Sequence, residues 1–583
     1  MKYGNLTTLS SGNGTVYSRS PDTGANVLTG LFYSRSEGAD EVLRGTKAMD
    51  MEQLKTMCPQ VFTVLHSGVK ELERDSKDMV RVDFTVENGE VFFTNVFRGH
   101  RTGEAALKIA VDMVGINEIT KAADVAVSAT NAPGSLKTFE FDISPILSKR
   151  EAIERIPVGD LPNGIDPCWF SNPHCTSILS WANELRGMSV MANVESALNS
   201  RTAAILDADG IGCLRLESLI TAKENNSIMT TFGRAITPEE RLSALLLLSE
   251  SLTKQVSDVL RVAPGTGEKS EQLKTLSVMG DTVAAAATPQ KIDRKVVVNV
   301  LIFDSTTAKS MVLLPEFLQS QVVACVQAVL SMQLELDVQI ELNFVIPSLI
   351  SDHELDYIFP YITESITTTC EKHDANLRAQ VVIAEEEEAK AGSTSPNSLP
   401  FFPHRLSGEN LVVNVGVSIS TPRAALRAGA IAAVQGVQFL SFDLLKLTSS
   451  VFDFTETEAT NFMEAFISKH ILAGNPFKKL DVNGVGSLIK QAITSARSAK
   501  PGLVFMSVGP QNEDAKSMTF LQNAGINVIS ISPNAIPVTK IASAQATIAQ
   551  EKEDASNSVW NFSETLQALD KSLFEDPFMM VVP

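Results

Sequence analysis

Hydrophobic and polar positions follow two rhythms along the chain. Up to about residue 100 the apolar residues fall in short runs, Val16–Arg19, Val27–Ser34, Val80–Val86 and Val91–Phe97, which predicts strands. The last two are joined by Glu87-Asn88-Gly89-Glu90, an Asn-Gly hairpin signal. Met51–Glu73 has helical spacing. Arg101–Met113 places Ala106, Ile109, Ala110 and Met113 on one face of an amphipathic helix. Residues 122–165 are irregular and rich in Pro and Ser, as a connector is.

From about Cys175 the rhythm changes. Helical stretches alternate with eight apolar runs: Met188–Ala192, Ile211–Leu214, Val296–Phe303, Val338–Ile346, Val412–Ile419, Val437–Phe442, Leu503–Val508 and Ile526–Ile531. Strands buried on both faces read as continuous apolar runs. Eight of them separated by helices predict a parallel (β/α)8 barrel of the TIM type, an α/β fold. Residues 263–291 are Gly-, Ala- and Thr-rich, and residues 385–410 open with Glu385–Glu388. Both read as solvated insertions.

Composition narrows the function more by exclusion than by assignment. The 583 residues carry 49 Lys plus Arg against 68 Asp plus Glu, a net charge of −19. Binding to nucleic acid or an anionic membrane rests on clustered cations, and no such cluster stands out. No apolar run of about 18 residues is evident, so no membrane-spanning helix is expected. The N-terminal residues lack a signal-peptide core and the C-terminal residues are not Ser-Lys-Leu, so a cytoplasmic location is expected. Cys58, Cys168, Cys175, Cys213, Cys325 and Cys370 form no CxxC pair, which argues against a disulfide framework or zinc ribbon. The seven histidines (66, 100, 174, 353, 373, 404 and 470) have no second histidine three or four residues on, as a helical metal site requires. Gly265–Ser270 imitates a phosphate-binding loop, but Glu268 intrudes and no strand precedes it. Gly12-Asn13-Gly14, taken alone, reads as a turn.

Longer strings are more specific. Gly14–Gly24, Lys77–Asp112, Gly210–Glu217 (GIGCLRLE), Pro422–Leu426 (PRAAL) and Ser530–Gln545 resemble segments of the pyruvate, phosphate dikinase family of phosphoenolpyruvate-utilising enzymes. The likeness covers about Gly14–Lys121 and Cys175–Ile548. It implies an enzyme that interconverts ATP, phosphate and pyruvate with AMP, pyrophosphate and phosphoenolpyruvate. Such an enzyme uses an ATP-grasp domain, a swivelling phosphohistidine domain and a Mg²⁺-holding barrel. On this resemblance residues 1–121 are the C-terminal half of an ATP-grasp module, rich in β-structure. Residues 122–174 are a connector with the phosphohistidine domain absent, since GGxTSHAAVVAR occurs nowhere. Residues 175–583 are the barrel, with the insertions at 263–291 and 385–410.

The same resemblance implies that the catalytic positions are degenerate. The nucleotide-site Glu falls on Leu31 and the Gln-Thr-Arg on Asn95-Val96-Phe97. In the barrel, Arg positions fall on Met191 and Leu301, the metal-binding Glu on Ser420, and Asn-Asp on Leu445-Lys446. The proton-transferring Cys falls on Val508, which cannot move a proton. Asn193, Arg215, Glu217 and Asp304 are retained. No intact metal, nucleotide or catalytic set is therefore expected, and neither Mg²⁺ nor ATP is expected to bind. Arg215, Glu217 and Arg423 admit two readings, a buried ion pair that holds the barrel or a residual anion pocket of Arg215, Glu217 and Asn193. Lys446 is expected to fill the metal volume and pair with Glu217 or Asp443. The expectation is a non-catalytic scaffolding or regulatory subunit with protein partners. These would be a homodimer or heterodimer through the barrel, or a larger, cytoskeletal assembly, without nucleic acid or membrane. The alternative is a residual phosphoenolpyruvate- or pyruvate-binding enzyme or metabolite sensor.

Overall fold

A computed structural model describes residues 11–35, 48–127, 146–161, 169, 172–266, 295–304, 310–347, 349–391 and 411–574. It divides into two compact units, Met1–Arg186 with Thr547–Pro583, and Gly187–Ala546.

The first unit holds a five-stranded sheet of order β3-β2-β1-β4-β5, antiparallel throughout. Its strands are β1 (Gly12–Tyr17), β2 (Thr29–Ser34), β3 (Met49–Asp50), β4 (Val80–Glu87) and β5 (Glu90–Arg98). The β4–β5 hairpin turns at Asn88 and Gly89, both at positive φ (53° and 85°), the geometry that Asn-Gly supplies at low cost. Strand β1 begins earlier than its apolar run suggests. Gly12 and Gly14 lie within it because the rings of Phe32 and Phe84 occupy the space a Cβ would need. The helical stretch of 51–73 is two helices, α1 (Met51–Met57) and α2 (Pro59–Ser76). Pro59 has no N–H to continue the first helix and opens the second. These helices cover one sheet face, packing Leu54, Val61, Leu65 and Val69 on Val16, Phe32, Val82, Phe84 and Val86. Beyond the sheet come α3 (Gly103–Val127, kinked at Gly115), α4 (Lys149–Glu154) and α5 (Pro173–Leu185). The connector expected at 122–165 is thus partly helical. Residues 128–145 and 162–168 lie outside the described residues.

The unit is pinned by a buried ion network built from the sequence Ser18-Arg19. Arg19 and Glu73 are 2 % and 4 % exposed and meet at 2.9 Å. Glu73 also accepts from Ser18 Oγ at 2.7 Å and Lys70 Nζ at 3.0 Å. Arg19 reaches Asp112 at 3.1 Å. Charges this deep are tolerated only when mutually satisfied.

The second unit is a closed, eight-stranded, all-parallel barrel. Its strands are β6 (Ser189–Val194), β7 (Ile211–Arg215), β8 (Lys295–Leu301), β9 (Gln339–Ile346), β10 (Val412–Ile419), β11 (Val437–Asp443), β12 (Val504–Val508) and β13 (Val528–Ile531). Each of the eight predicted apolar runs is a barrel strand. Outward residues such as Val190, Val298, Leu342, Val417 and Ile529 are wholly buried under surrounding helices. Those named below are α6 (Ala197–Ile205), α7 (Leu216–Ile220), α8 (Asn226–Arg234), α9 (Pro238–Arg261), α10 (Pro315–Leu336), α11 (Glu354–Ala391), α12 (Pro422–Leu426) and α13 (Leu444–Phe452). Helix α10 is long and apolar enough by length and composition to cross a membrane, but it is a core helix with two-thirds of its apolar window buried. Glu385–Glu388 also departs from expectation. It lies in the last turns of α11, where Ala, Glu and Lys are strong helix formers. Residues 267–294 and 392–410, most of both predicted insertions, lie outside the described residues.

Candidate functional site

In a barrel of this kind chemistry is carried at the C-terminal ends of the strands. The interior is read from register. A Cβ on Gly212 would meet Ser530 Oγ and Met191 Cβ, which places these three inside. One level of the interior is polar. Asn299 donates to Ile211 O at 3.2 Å, Asn343 to Asn299 Oδ1 at 2.9 Å, and Asn414 to Asn343 Oδ1 at 2.8 Å and Glu341 Oε1 at 2.9 Å. The signal for this ladder was a single asparagine inside each of three apolar runs.

Next to it lies an apolar cluster of Cys213, Val345, Phe439, Met506 and Val508, with Leu301 and Val528 packed against it. Phe439 takes the room left by Gly416, where a Cβ would sit 2.4 Å from the ring. Leu301 and Val508, two of the expected degenerate positions, belong to this one cluster. Leu445, a third, packs in another, beside Phe454, Phe462 and Phe477. Sequence reasoning missed Phe439, Met506 and Val345 as parts of the site. Counting every second residue back along each strand would have found them.

The polar groups of the mouth are dispersed around the cluster. Asn193 Oδ1 accepts from Ser530 Oγ at 2.6 Å. Ser420 Oγ is buried without a hydrogen-bond partner. Asp443, 5 % exposed, caps α13 by accepting from Lys446 N at 3.0 Å. Burial pushes the Cys213 thiol up to about 11 despite the nearby Arg215 guanidinium. Burial works against the Arg215 charge, but the Cys213 sulfur and the carboxylates of Asp443, Glu195 and Glu217 outweigh it and raise its pKa. Arg215 makes no hydrogen bond or ion pair within 4 Å among the described residues. Asp304 accepts from Met311 N at 3.2 Å.

Two expectations are corrected. Arg215, Glu217 and Arg423 form no buried ion pair. Glu217 is exposed, and Arg423, exposed on the first turn of α12, donates to Ile350 O at 2.7 Å. The Lys446 ammonium makes no ion pair with Glu217 or Asp443; it is the Lys446 backbone that bonds Asp443. Among the described residues no group of three or more His, Cys, Asp and Glu side chains is arranged to hold a metal.

In the first unit, Leu31, Asn95 and Phe97 share the sheet face that α1 and α2 leave uncovered. They pair with Thr15, Asp83 and Arg81 respectively. Leu31 and Phe97 are 46 % and 47 % exposed. Where the resemblance implies a cation, the Phe97 ring instead carries the Arg81 guanidinium at 4.8 Å. Arg81 in turn lies 3.8 Å from Asp83.

A closed parallel (β/α)8 barrel in one unit and a helix-backed antiparallel sheet in the other define the class of protein. No family model matches the chain. Curated relatives do. Pyruvate, phosphate dikinase of Clostridium symbiosum is 23 % identical over 662 aligned positions, covering 92 % of this chain and 71 % of the relative. Pyruvate, phosphate dikinase 1 of Arabidopsis thaliana, chloroplastic, is 24 % identical, covering 94 % of this chain and 66 % of the relative. The chain is similar over most of its length to pyruvate, phosphate dikinases and spans about two-thirds of these relatives' length. Because 662 aligned positions exceed the 583 residues of the chain, stretches present in that relative are missing here. Similar solved structures include citrate synthase SbnG (10 % identity, TM-score 0.27, 65 % of this chain and 98 % of that one). Macrophomate synthase is another (13 % identity, TM-score 0.28, 61 % and 81 %).

Proposed function

We propose that the chain is a non-catalytic relative of pyruvate, phosphate dikinase that serves as a structural or regulatory subunit of a protein assembly. The observation that carries this reading is the apolar cluster at the barrel mouth. Leu301 and Val508 stand where the resemblance implies an arginine and a proton-transferring cysteine, and they pack against Phe439, Met506 and Val345. Leu301, Val345 and Val508 neither bind an anion nor transfer a proton, and burial holds the Cys213 thiol protonated, pushed up to about 11. The donor set does not fit Mg²⁺ either. Mg²⁺ is held through hard oxygens, usually carboxylates, whereas Ser420 offers a hydroxyl and Lys446 an ammonium that repels the ion. Asp443 already caps a helix.

A second reading rests on Arg215. A partly buried guanidinium without a hydrogen bond favours residual binding of a small anion such as phosphate or phosphoenolpyruvate. Titration calorimetry with phosphoenolpyruvate, with and without Mg²⁺, separates the two. The first reading predicts no heat of binding up to millimolar ligand. Mg²⁺-dependent saturation would overturn it, and Mg²⁺-independent saturation lost in Arg215→Met would establish the second.

A further inference from the structure

The sheet of the first unit has two unlike edges. Strand β3 has two residues and runs straight into α1, the kind of short edge that keeps a sheet from stray pairing. Strand β5, at the other edge, has nine residues and among the described residues pairs with β4 alone. Its interior, residues 91–97 (VFFTNVF), has no charge, proline or glycine and is rich in strand formers. Such a segment is a template for a further strand wherever its edge is open. The edge is open here: Phe93, Val96 and Phe97 are 39 %, 44 % and 47 % exposed. Of the devices that blunt an edge, β5 carries one bulge. Thr94 is its extra residue, opposite Asp83 and Phe84, and donates its hydroxyl to Asp83 O at 2.9 Å.

We propose that β5 pairs antiparallel with β5 of a second copy of the chain, joining two five-stranded sheets into one of ten strands. Charge selects a second copy. The strand opens on Glu90, beside Glu87 across the hairpin turn, and closes on Arg98. Arg98 keeps its side chain 67 % exposed while it bonds Asp78 at 3.0 Å. Arg101 holds the same carboxylate, so this end stays net positive. A two-fold axis through the middle of the strand lays the acidic end of one copy beside the basic end of the other, and the uncharged residues 91–97 meet their own kind. Backbone hydrogen bonds supply the affinity in strand addition of this sort. The contact uses no element of the barrel, so together with any pairing of barrels it would link chains into an assembly larger than a dimer.

The proposal deepens the assembly reading above and rests on it, but the two fail separately: loss of the strand pairing leaves the calorimetry on phosphoenolpyruvate unchanged. The test is hydrogen exchange of the full chain, followed over residues 90–98 in a concentration series. Protection that rises with protein concentration is expected. Protection independent of concentration overturns the proposal, including the case in which a strand of another protein takes the edge. Val96→Lys/Phe97→Lys sets four lysines at one contact and is expected to raise the concentration of half-protection by about 10-fold or more. An unchanged midpoint overturns the proposal. In case that variant fails to fold, Thr94→Cys gives a second readout. Residue 94 is at the centre of β5, so two copies paired across the axis should be bridged by a short bismaleimide. Bridging no greater than in the wild type, which carries only the native cysteines, overturns the proposal.

Discussion

Phe439→Ala asks whether the barrel mouth is a core or a site. Phe439 is 6 % exposed and packs with Cys213, Val345, Met506 and Val508, while Gly416 offers no side chain to fill the space it would leave. Truncating a buried phenylalanine costs about 3–5 kcal/mol, with the larger values where neighbours cannot collapse inward. A closed barrel resists collapse, so the upper half of that range is expected. The converse change, Gly416→Ala, would drive a Cβ to 2.4 Å from the ring and should cost about 1–3 kcal/mol by overpacking. Because the two changes are complementary in volume, the double variant should lose less than their sum. Tryptophan fluorescence is a poor assay, since Trp169 and Trp181 lie in the other unit. Native-state hydrogen exchange of the amides of β10 and β11 reads the barrel directly. A loss below about 1 kcal/mol in Phe439→Ala would refute the reasoning, because it would mean the cluster is a loosely filled cavity with room for a ligand.

Three further outcomes follow from the same geometry. Glu73→Gln removes the charge that Arg19 and Lys70 share and should destabilise the first unit by about 3–5 kcal/mol, whereas Lys70→Met, which leaves the buried Arg19–Glu73 pair in place, should cost less, as urea titration followed by tryptophan fluorescence would show. Asn343→Leu breaks the interior ladder and leaves Asn299 Oδ1 without its donor, while Asn414 keeps its bond to Glu341; it should cost about 1–3 kcal/mol, read from barrel hydrogen exchange. Burial, helped by Lys70, holds His66 below its ordinary value of 6.5. The unfolded chain then binds the extra proton between the folded pKa and 6.5, so stability falls as pH drops through that window and is recovered above it. His66→Gln should flatten this slope in urea titrations run from pH 7 to 5. An NMR titration that places His66 at or above 6.5 would contradict it.

The sequence disclosed the barrel more readily than its mouth, and for a physical reason. Strands buried on both faces must be apolar throughout, so Met188–Ala192 or Leu503–Val508 stand out against polar connections. The same property hides which residues point inward. Only the family resemblance singles out Leu301 and Val508, and Phe439 is marked only by the structure, in which Gly416 lies opposite its ring. Glycine misled in β1, where Gly12 and Gly14 read as a turn yet sit in a strand beneath two phenylalanines. The long side chains were the least legible. Arg423 and Lys446 were placed in ion pairs by charge alone, but one reaches a backbone carbonyl and the other leaves its ammonium unpaired, since electrostatic partners depend on rotamers that spacing does not encode. The charge run at Glu385 was read as loop from its polarity, although helix propensity favours the opposite.

The proposed non-catalytic role can be put to one decisive test. The most direct measurement is phosphorus NMR of the full chain incubated with ATP, phosphate, pyruvate and Mg²⁺ at enzyme concentrations high enough to see a few turnovers. The account predicts no phosphoenolpyruvate and no pyrophosphate beyond the protein-free control. Formation of both in equal amounts, abolished in Arg215→Met, would contradict it.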